Sequence, residues 1–280
     1  MANVLYINKP QGITSFDLCF KLRKVFNTKR IGHTGTLDPN ATGVMIVLID
    51  KATKAAQFFS CNYKEYKARV LFGIETDTLD IDGKVIKQEN YIMPSRDDII
   101  NVLNSFLGKS KQVVPLVSAK KINGKKLYEY HRDNIEIEAP EIDIEILNIE
   151  LNDIYDDGFE FTCLVSSGTY IRSLVRDICL KLNVIGTTSK LCRSKVNDIA
   201  LNECDELEDV LNGNYHLHTL FDALSRQYKT IEYENIDDIY NGKRIKINSD
   251  EDKILICHNN EAIAIYGKDN DEYKTIRGLW

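Results

Sequence analysis

The amino-acid sequence predicts an α+β fold, with a mixed, mainly antiparallel sheet flanked by helices and loops and a small β module at the C-terminal end. Three observations predict it. A short apolar strand is followed by a capped helix, a glycine-rich loop and a continuous apolar run. Farther on, an alternating strand feeds a helix through a Ser/Gly/Thr turn, and from about Tyr228 the pattern shortens to brief strands with Asn-containing turns.

Val4-Leu5-Tyr6-Ile7 reads as the first strand. Thr14-Ser15, followed by Asp17 and by Leu18, Leu22 and Val25 at helical spacing, reads as a capped helix that also carries Lys21, Arg23 and Lys24. The glycine-rich loop spans 32–43. Val44 to Ile49 then form an apolar run suited to a strand covered on both faces, a rigid support for the loop before it. Tyr66, Ala68, Val70 and Phe72 alternate with Lys67, Arg69 and Leu71 in a further strand. A helix is expected after Pro94-Ser95, with Asp98 at the capping-box position, ending at Gly108. Residues 117–131 read as a strand, an Asn123-Gly124 turn and a second basic arm, with Lys120, Lys121, Lys125 and Lys126 beside Tyr128 and Tyr130. Phe159, Phe161, Cys163 and Val165 alternate into Ser166-Ser167-Gly168-Thr169, after which Ile171, Leu174, Val175, Ile178 and Leu182 recur at helical spacing. Turns at Asn241-Gly242 and Asn259-Asn260 mark the final β module, roughly fifty residues long.

A chain of 280 residues holds one large domain, or a main domain plus a small one. No stretch approaches the roughly 18 uninterrupted apolar residues of a membrane span, and the first eight residues lack a basic region, so a cytoplasmic protein is expected. The 7 cysteines (Cys19, Cys61, Cys163, Cys179, Cys192, Cys204, Cys257) are scattered and never spaced C-x-x-C, which suggests neither a disulfide framework nor a zinc knuckle. A net charge of −6 argues against binding nucleic acid by bulk charge. The distribution differs: residues 1–132 carry 21 Lys+Arg against 12 Asp+Glu, and residues 133–280 carry 15 against 30. A basic front and an acidic back fit a protein that grips a polyanion with one face, although solvated surface charge gives the same count.

The segment Gly32-His33-Thr34-Gly35-Thr36-Leu37-Asp38-Pro39-Asn40-Ala41-Thr42-Gly43 places glycines around one carboxylate just before a buried strand. Glycine lets backbone approach a ligand, and Asp-Pro fixes a turn. On the residues alone, Asp38 is a turn former about twice as readily as a catalyst, and the loop could also cradle a phosphate, though no Gly-Lys-Ser/Thr follows. Thr78-Leu79-Asp80-Ile81-Asp82-Gly83 with Glu89 nearly fits a calcium loop, but Thr78 replaces the first carboxylate and flanking helices are not expected. His216 and His218 alternate without other candidate ligands, as surface histidines do. We therefore expect no metal. Tyr66 and Tyr170 read as core aromatics.

The glycine-rich loop resembles the catalytic loop of TruB-type pseudouridine synthases, a G-x-x-G-x-L-D-P-x-A-x-G pattern whose fixed positions are all met. The resemblance extends to Lys9-Pro10-Gln11-Gly12-Ile13-Thr14-Ser15 (K-P-x-G-x-x-S), Ala52-Thr53-Lys54, Tyr66 and Thr76-Asp77-Thr78. It continues through Ser118-Ala119-Lys120-Lys121-Ile122-Asn123-Gly124-Lys125-Lys126-Leu127-Tyr128, Gly168-Thr169-Tyr170-Ile171-Arg172-Ser173-Leu174 and Leu191-Cys192-Arg193. It covers residues from about 3 to about 200, and several motifs in the right order make it specific.

The resemblance implies a pseudouridine synthase fold and a reaction in which a uridine in the T arm of tRNA, at position 55, is isomerised to pseudouridine without cofactor. It implies Asp38 as catalytic carboxylate, Tyr66 packed against the target base, and Tyr170 and Arg172 supporting the aspartate. Leu191 becomes an apolar pocket residue, Lys54 a basic residue near the site, and His33 a holder of the displaced nucleotide. Lys9 and the hairpin lysines Lys120, Lys121, Lys125 and Lys126 are expected to bind substrate. We expect a catalytic domain over 1–227 with an RNA-gripping hairpin near 117–140, a short PUA-like module over 228–280, and a monomer. A non-catalytic RNA-binding protein and a phosphate-holding hydrolase are the competing readings; the second lacks a base and metal ligands.

Overall fold

In the computed structural model, which describes residues 2–59, 63–133 and 135–280, the chain divides into two units. One comprises Met1–Pro39, Gly43–Ser60 and Asp198–Trp280, the other Asn40–Thr42 and Cys61–Asn197. Cys61 lies outside the described residues.

The first unit opens with strand β1 (Ala2–Lys9), in which Val4 to Ile7 are buried. Thr14 caps helix α1 (Ser15–Val25): its hydroxyl accepts from the Asp17 N–H, and the Asp17 carboxylate accepts from the Thr14 N–H in return. The helix buries Leu18, Cys19 and Leu22. Strand β2 (Ile31–His33) pairs antiparallel with β3 (Thr42–Asp50), and β3 pairs antiparallel with β1, Leu5 opposite Val47. Val44 to Ile49 are all buried, which is why that run is apolar without alternation. A 3-10 helix, Lys51–Phe59, buries Ala52, Ala55, Phe58 and Phe59.

The second unit is built on an antiparallel sheet. Its elements are β4 (Tyr63–Phe72), β5 (Ile74–Thr76), β6 (Val85–Gln88), α2 (Arg96–Asn104), β7 (Gly108–Val113), β8 (Lys121–Ile122), β9 (Lys125–Lys126), α3 (Leu127–Arg132), β10 (Glu141–Tyr155), β11 (Gly158–Ser166), α4 (Ile171–Lys181) and β12 (Gly186–Val196). The strand order is β12-β4-β11-β10-β7. Alternation puts Ala68, Val70 and Phe72 of β4 and Phe159, Phe161, Cys163 and Val165 of β11 into the core. The apolar stripe of α4, Leu174, Val175 and Ile178, is buried as its spacing predicts.

Two local expectations for this unit are corrected. Helix α2 keeps its Ser95–Asp98 capping box but ends at Asn104, short of Gly108, which instead opens β7 at φ +93°. The Asn123-Gly124 turn forms with both residues at positive φ, yet the arms β8 and β9 are two residues each and the second gives way to α3. Glu129 accepts a hydrogen bond from the Lys126 N–H at 2.8 Å, and Leu127 is buried, so a helix starts where a basic strand was expected.

The remainder of the first unit runs through β13 (Ile199–Ala200), β14 (Asp205–Glu206), α5 (Leu207–Leu211), β15 (Leu217–Thr219) and α6 (Leu220–Ser225). Strand β14 pairs parallel with β1, and β15 antiparallel with it. A four-stranded sheet follows: β16 (Lys229–Glu232), then β17 (Lys253–His258), β18 (Glu261–Asp269) and β19 (Glu272–Gly278), with α7 (Ile236–Tyr240) inserted after β16. Its core gathers Ile239, Ile254, Ile256, Tyr266 and Tyr273. Asn259 and Asn260, both at positive φ, make the β17–β18 turn, whereas Gly242 follows a helix instead of joining two strands. The β16–β17 pair is parallel. The molecule is therefore α+β with mixed, mainly antiparallel sheets and a C-terminal four-stranded module.

Candidate active site

The loop that carries Asp38 is pinned on both flanks by the segment that runs from the end of β1 into the first residue of α1. The Ser15 hydroxyl accepts from the Leu37 N–H at 2.9 Å and donates to the Leu37 carbonyl at 3.0 Å. On the other side of Asp38, the Pro39 carbonyl accepts from the Gly12 N–H at 2.9 Å and from Lys9 Nζ at 3.1 Å. Gly12 sits at φ +87°, a conformation that suits glycine. Lys9 is fully buried and also donates to the carbonyls of Pro10 and Ile13, at 2.8 Å each. Its ammonium thus ties the loop to the strand end. Leu37 is buried and Asp38 half-buried, so the carboxylate stands at the rim of a held backbone. His33, also half-buried, ends β2, and the Thr34 N–H bonds to the Ile46 carbonyl at 3.1 Å, fixing the loop to β3.

In the second unit, β4 and β12 place Tyr66 directly opposite Arg193, with Leu191 opposite Ala68, so these residues share one face of the sheet. Cys163 of β11 stands opposite Tyr66 on the other side. Tyr66, Leu191 and Arg193 are 8%, 9% and 2% exposed. Arg172, 5% exposed in the first turn of α4, donates to the carbonyls of Thr78 at 2.7 Å and Val117 at 3.0 Å. It therefore joins the Thr78 turn to the segment that leads into the basic hairpin. Tyr170 is the residue before α4. Gln112 holds its backbone from both sides, accepting from its N–H at 2.8 Å and donating to its carbonyl at 3.1 Å. Asp80, nearly buried, accepts from Asn40 Nδ2 at 3.0 Å.

The remaining expected residues are exposed or half-buried. Lys54 is exposed on the 3-10 helix and donates to the Trp280 carbonyl. Lys120 and Lys121 are exposed at the hairpin. Lys125 forms an ion pair with Asp133 at 2.7 Å and lies 4.9 Å from the Tyr130 ring centre, and Lys126 lies 5.3 Å from that of Tyr128. Sequence reading assigned no role to Ser15, Gly12, Gln112 or Arg193. For Arg193 a signal existed: a charged residue two places from Leu191 in an alternating strand must face the same way.

Burial pushes the Cys19 thiol up to about 11 and that of Cys179 up to about 12, and raises Cys163 as well, so these thiols stay protonated at neutral pH.

Residues 23–171 match the family described as TruB family pseudouridylate synthase (N terminal domain). A protein of Lactobacillus acidophilus named tRNA pseudouridine synthase B is 35% identical over 286 residues, spanning 97% of this chain and 96% of its own length. One of the same name from Clostridium tetani is 37% identical over 276 residues, covering 96% of this chain and 93% of the relative. Among solved structures, a chain of a Cbf5-Nop10-Gar1 complex superposes with a TM-score of 0.74 at 20% identity, over 99% of this chain and 85% of that one, a likeness of fold. With two relatives aligned over nearly their whole length and the loop, strand and helix motifs placed in order, the chain belongs to the TruB family of pseudouridine synthases.

Proposed function

We propose that the chain isomerises uridine 55 in the T arm of tRNA, with Asp38 as the carboxylate that acts at the ribose. Its relatives named tRNA pseudouridine synthase B support tRNA as the substrate. The observation that carries the assignment of Asp38 is the double hold on its neighbours, Leu37 by Ser15 and Pro39 by Gly12 and Lys9. A reacting group needs such a hold, because a displacement of about 1 Å costs on the order of 10²-fold in rate. An ordinary turn aspartate does not.

In the reaction the N-glycosidic bond breaks, the uracil turns within the site, C5 bonds to C1′, and the C5 proton leaves while N1 regains one. Atoms are conserved and nothing is oxidised. A stacked uridine must first leave its helix, at a cost of a few kcal/mol. Stacking on Tyr66 returns roughly 1–3 kcal/mol. Leu191 lines the same sheet face, His33 holds the displaced nucleotide, Tyr170 and Arg172 support the aspartate, and Lys120, Lys121, Lys125 and Lys126 bind flanking phosphates. In this reading residues 1–227 are the catalytic domain, 228–280 a short PUA-like module, and the protein acts as a cytoplasmic monomer.

Tritium release from C5-tritiated uridine in a T-arm stem-loop tests the proposal. The wild type is expected to release tritium, and Asp38→Asn to bind the RNA with unchanged affinity and release none. Release by both proteins would remove Asp38 from the chemistry; binding without release by either would favour an RNA-binding protein on this scaffold.

A further inference from the structure

Helix α1 buries Leu18, Cys19 and Leu22 on one face and turns two phenylalanines outward on the other. Phe16 is 64% exposed and Phe20 62% exposed, one helical turn apart. The Arg23 guanidinium lies 5.7 Å from the Phe16 ring centre and 5.8 Å from that of Phe20, and its Nε is buried without a hydrogen-bond partner among the described residues. Lys24 borders the same face. Lys21 and Lys24, with Val25, Gly213 and Tyr215, line an adjoining groove of about 520 Å³. Asp17, the acidic residue of this helix, is engaged by Thr14.

Single exposed apolar residues need no explanation, but two neighbouring aromatic rings around one arginine and beside lysines form a surface of mixed character. Its chemistry is that of a stacking platform: flat apolar faces for bases, cations for the phosphates between them. We infer that Phe16, Phe20 and Arg23 stack unpaired nucleotides of the RNA substrate outside the target uridine, with Lys21 and Lys24 on the adjoining phosphates. This rests on the reading that the chain acts on RNA. A second copy of the chain is a poorer occupant, because a two-fold contact would bring two sets of Arg23 and Lys24 together. The platform starts at the residue after Ser15, which holds Leu37. A nucleotide stacked there is thus anchored on the same helix end that anchors the Asp38 loop.

The test compares wild type, Phe16→Ala/Phe20→Ala and Phe16→Trp/Phe20→Trp for binding to an unmodified tRNA transcript and to a blunt RNA duplex, with tritium release at saturating transcript. Both rings are exposed, so neither variant disturbs the core. The alanine variant is expected to raise Kd for the transcript about tenfold or more, to leave the duplex Kd and kcat unchanged, and to be rescued by tryptophan. An unchanged transcript Kd overturns the inference. So does an equal loss on the duplex, or a loss of self-association by light scattering with RNA affinity intact. A wild type that binds the transcript but releases no tritium refutes the proposed reaction instead, and the Kd comparison still decides the platform.

Discussion

Ser15 has both of its hydrogen bonds on the backbone of one residue, Leu37, which immediately precedes Asp38. Ser15→Ala would leave a buried N–H and carbonyl unpaired, a loss of about 1–3 kcal/mol locally. If the hold exists to place Asp38, the effect falls on the chemical step. We expect kcat to drop about 10²-fold while RNA affinity stays near that of the wild type. Single-turnover tritium release with parallel RNA titration separates the two; weakened binding at full kcat would show that Ser15 serves the RNA surface. The reading of Asp38 rests on several motifs standing in order, since an Asp-Pro turn alone points to no chemistry. The role of Ser15 was not legible, because a serine at a helix start reads as part of a cap, and its partner lies 22 residues farther along the chain. Lys9 was legible as a member of the opening motif, but its burial was not. Only the structure shows its ammonium buried among carbonyls.

At the scale of elements, two helix starts were readable from the side chain that makes the cap, whereas the Thr219–Asp222 box that opens α6 was not read. Thr14 with Asp17 and Ser95 with Asp98 form the boxes their spacing predicts. Short helices such as α3 and α7, six and five residues long, were not read. Neither is long enough to display an apolar period, and each adjoins a turn signal that reads equally well as a hairpin, Asn123-Gly124 before α3 and Asn241-Gly242 after α7. Thr14→Ala should destabilise the protein by about 1 kcal/mol near pH 6. The hydroxyl and backbone N–H of Thr14 hold the Asp17 carboxyl below its ordinary value. Its folded pKa is therefore depressed: the contribution is complete above the unfolded value and disappears as pH falls through the folded one. The stability gap between variant and wild type, followed by denaturant titration, should narrow on acidification; a gap independent of pH would mean that the ionised carboxylate does not take part in the cap. Gly186 tests how α4 packs on its sheet. A Cβ there would meet Cys179 Sγ at 2.6 Å and the Leu71 carbonyl at 2.9 Å. Gly186→Ala is expected to cost about 1–3 kcal/mol, and an unchanged Tm would show that the helix can slide away.

For the whole molecule, the division of charge along the sequence does not become a division between bodies. The unit of Met1–Pro39, Gly43–Ser60 and Asp198–Trp280 holds 17 Lys+Arg and 21 Asp+Glu, and the other unit 19 and 21. Chain order concealed this, because the acidic C-terminal stretch folds into the same unit as the basic N-terminal one. RNA must then be gripped by local clusters against a slightly repulsive background, and affinity should be strongly salt-dependent. The hairpin lysines are not equivalent in this respect. Lys120 and Lys121 are exposed, while the charge of Lys125 is partly neutralised by Asp133 at 2.7 Å. Each lysine that displaces a counterion from a duplex phosphate contributes about 0.9 to the slope of log Kd against log salt. Lys120→Gln/Lys121→Gln should lower that slope by about 1.8 on a T-arm stem-loop, and Lys125→Gln by less than half as much. Titrations at several salt concentrations would measure this. Equal effects for all three positions would mean that the Asp133 pair opens when RNA binds; no effect for any would remove the hairpin from the RNA contact altogether.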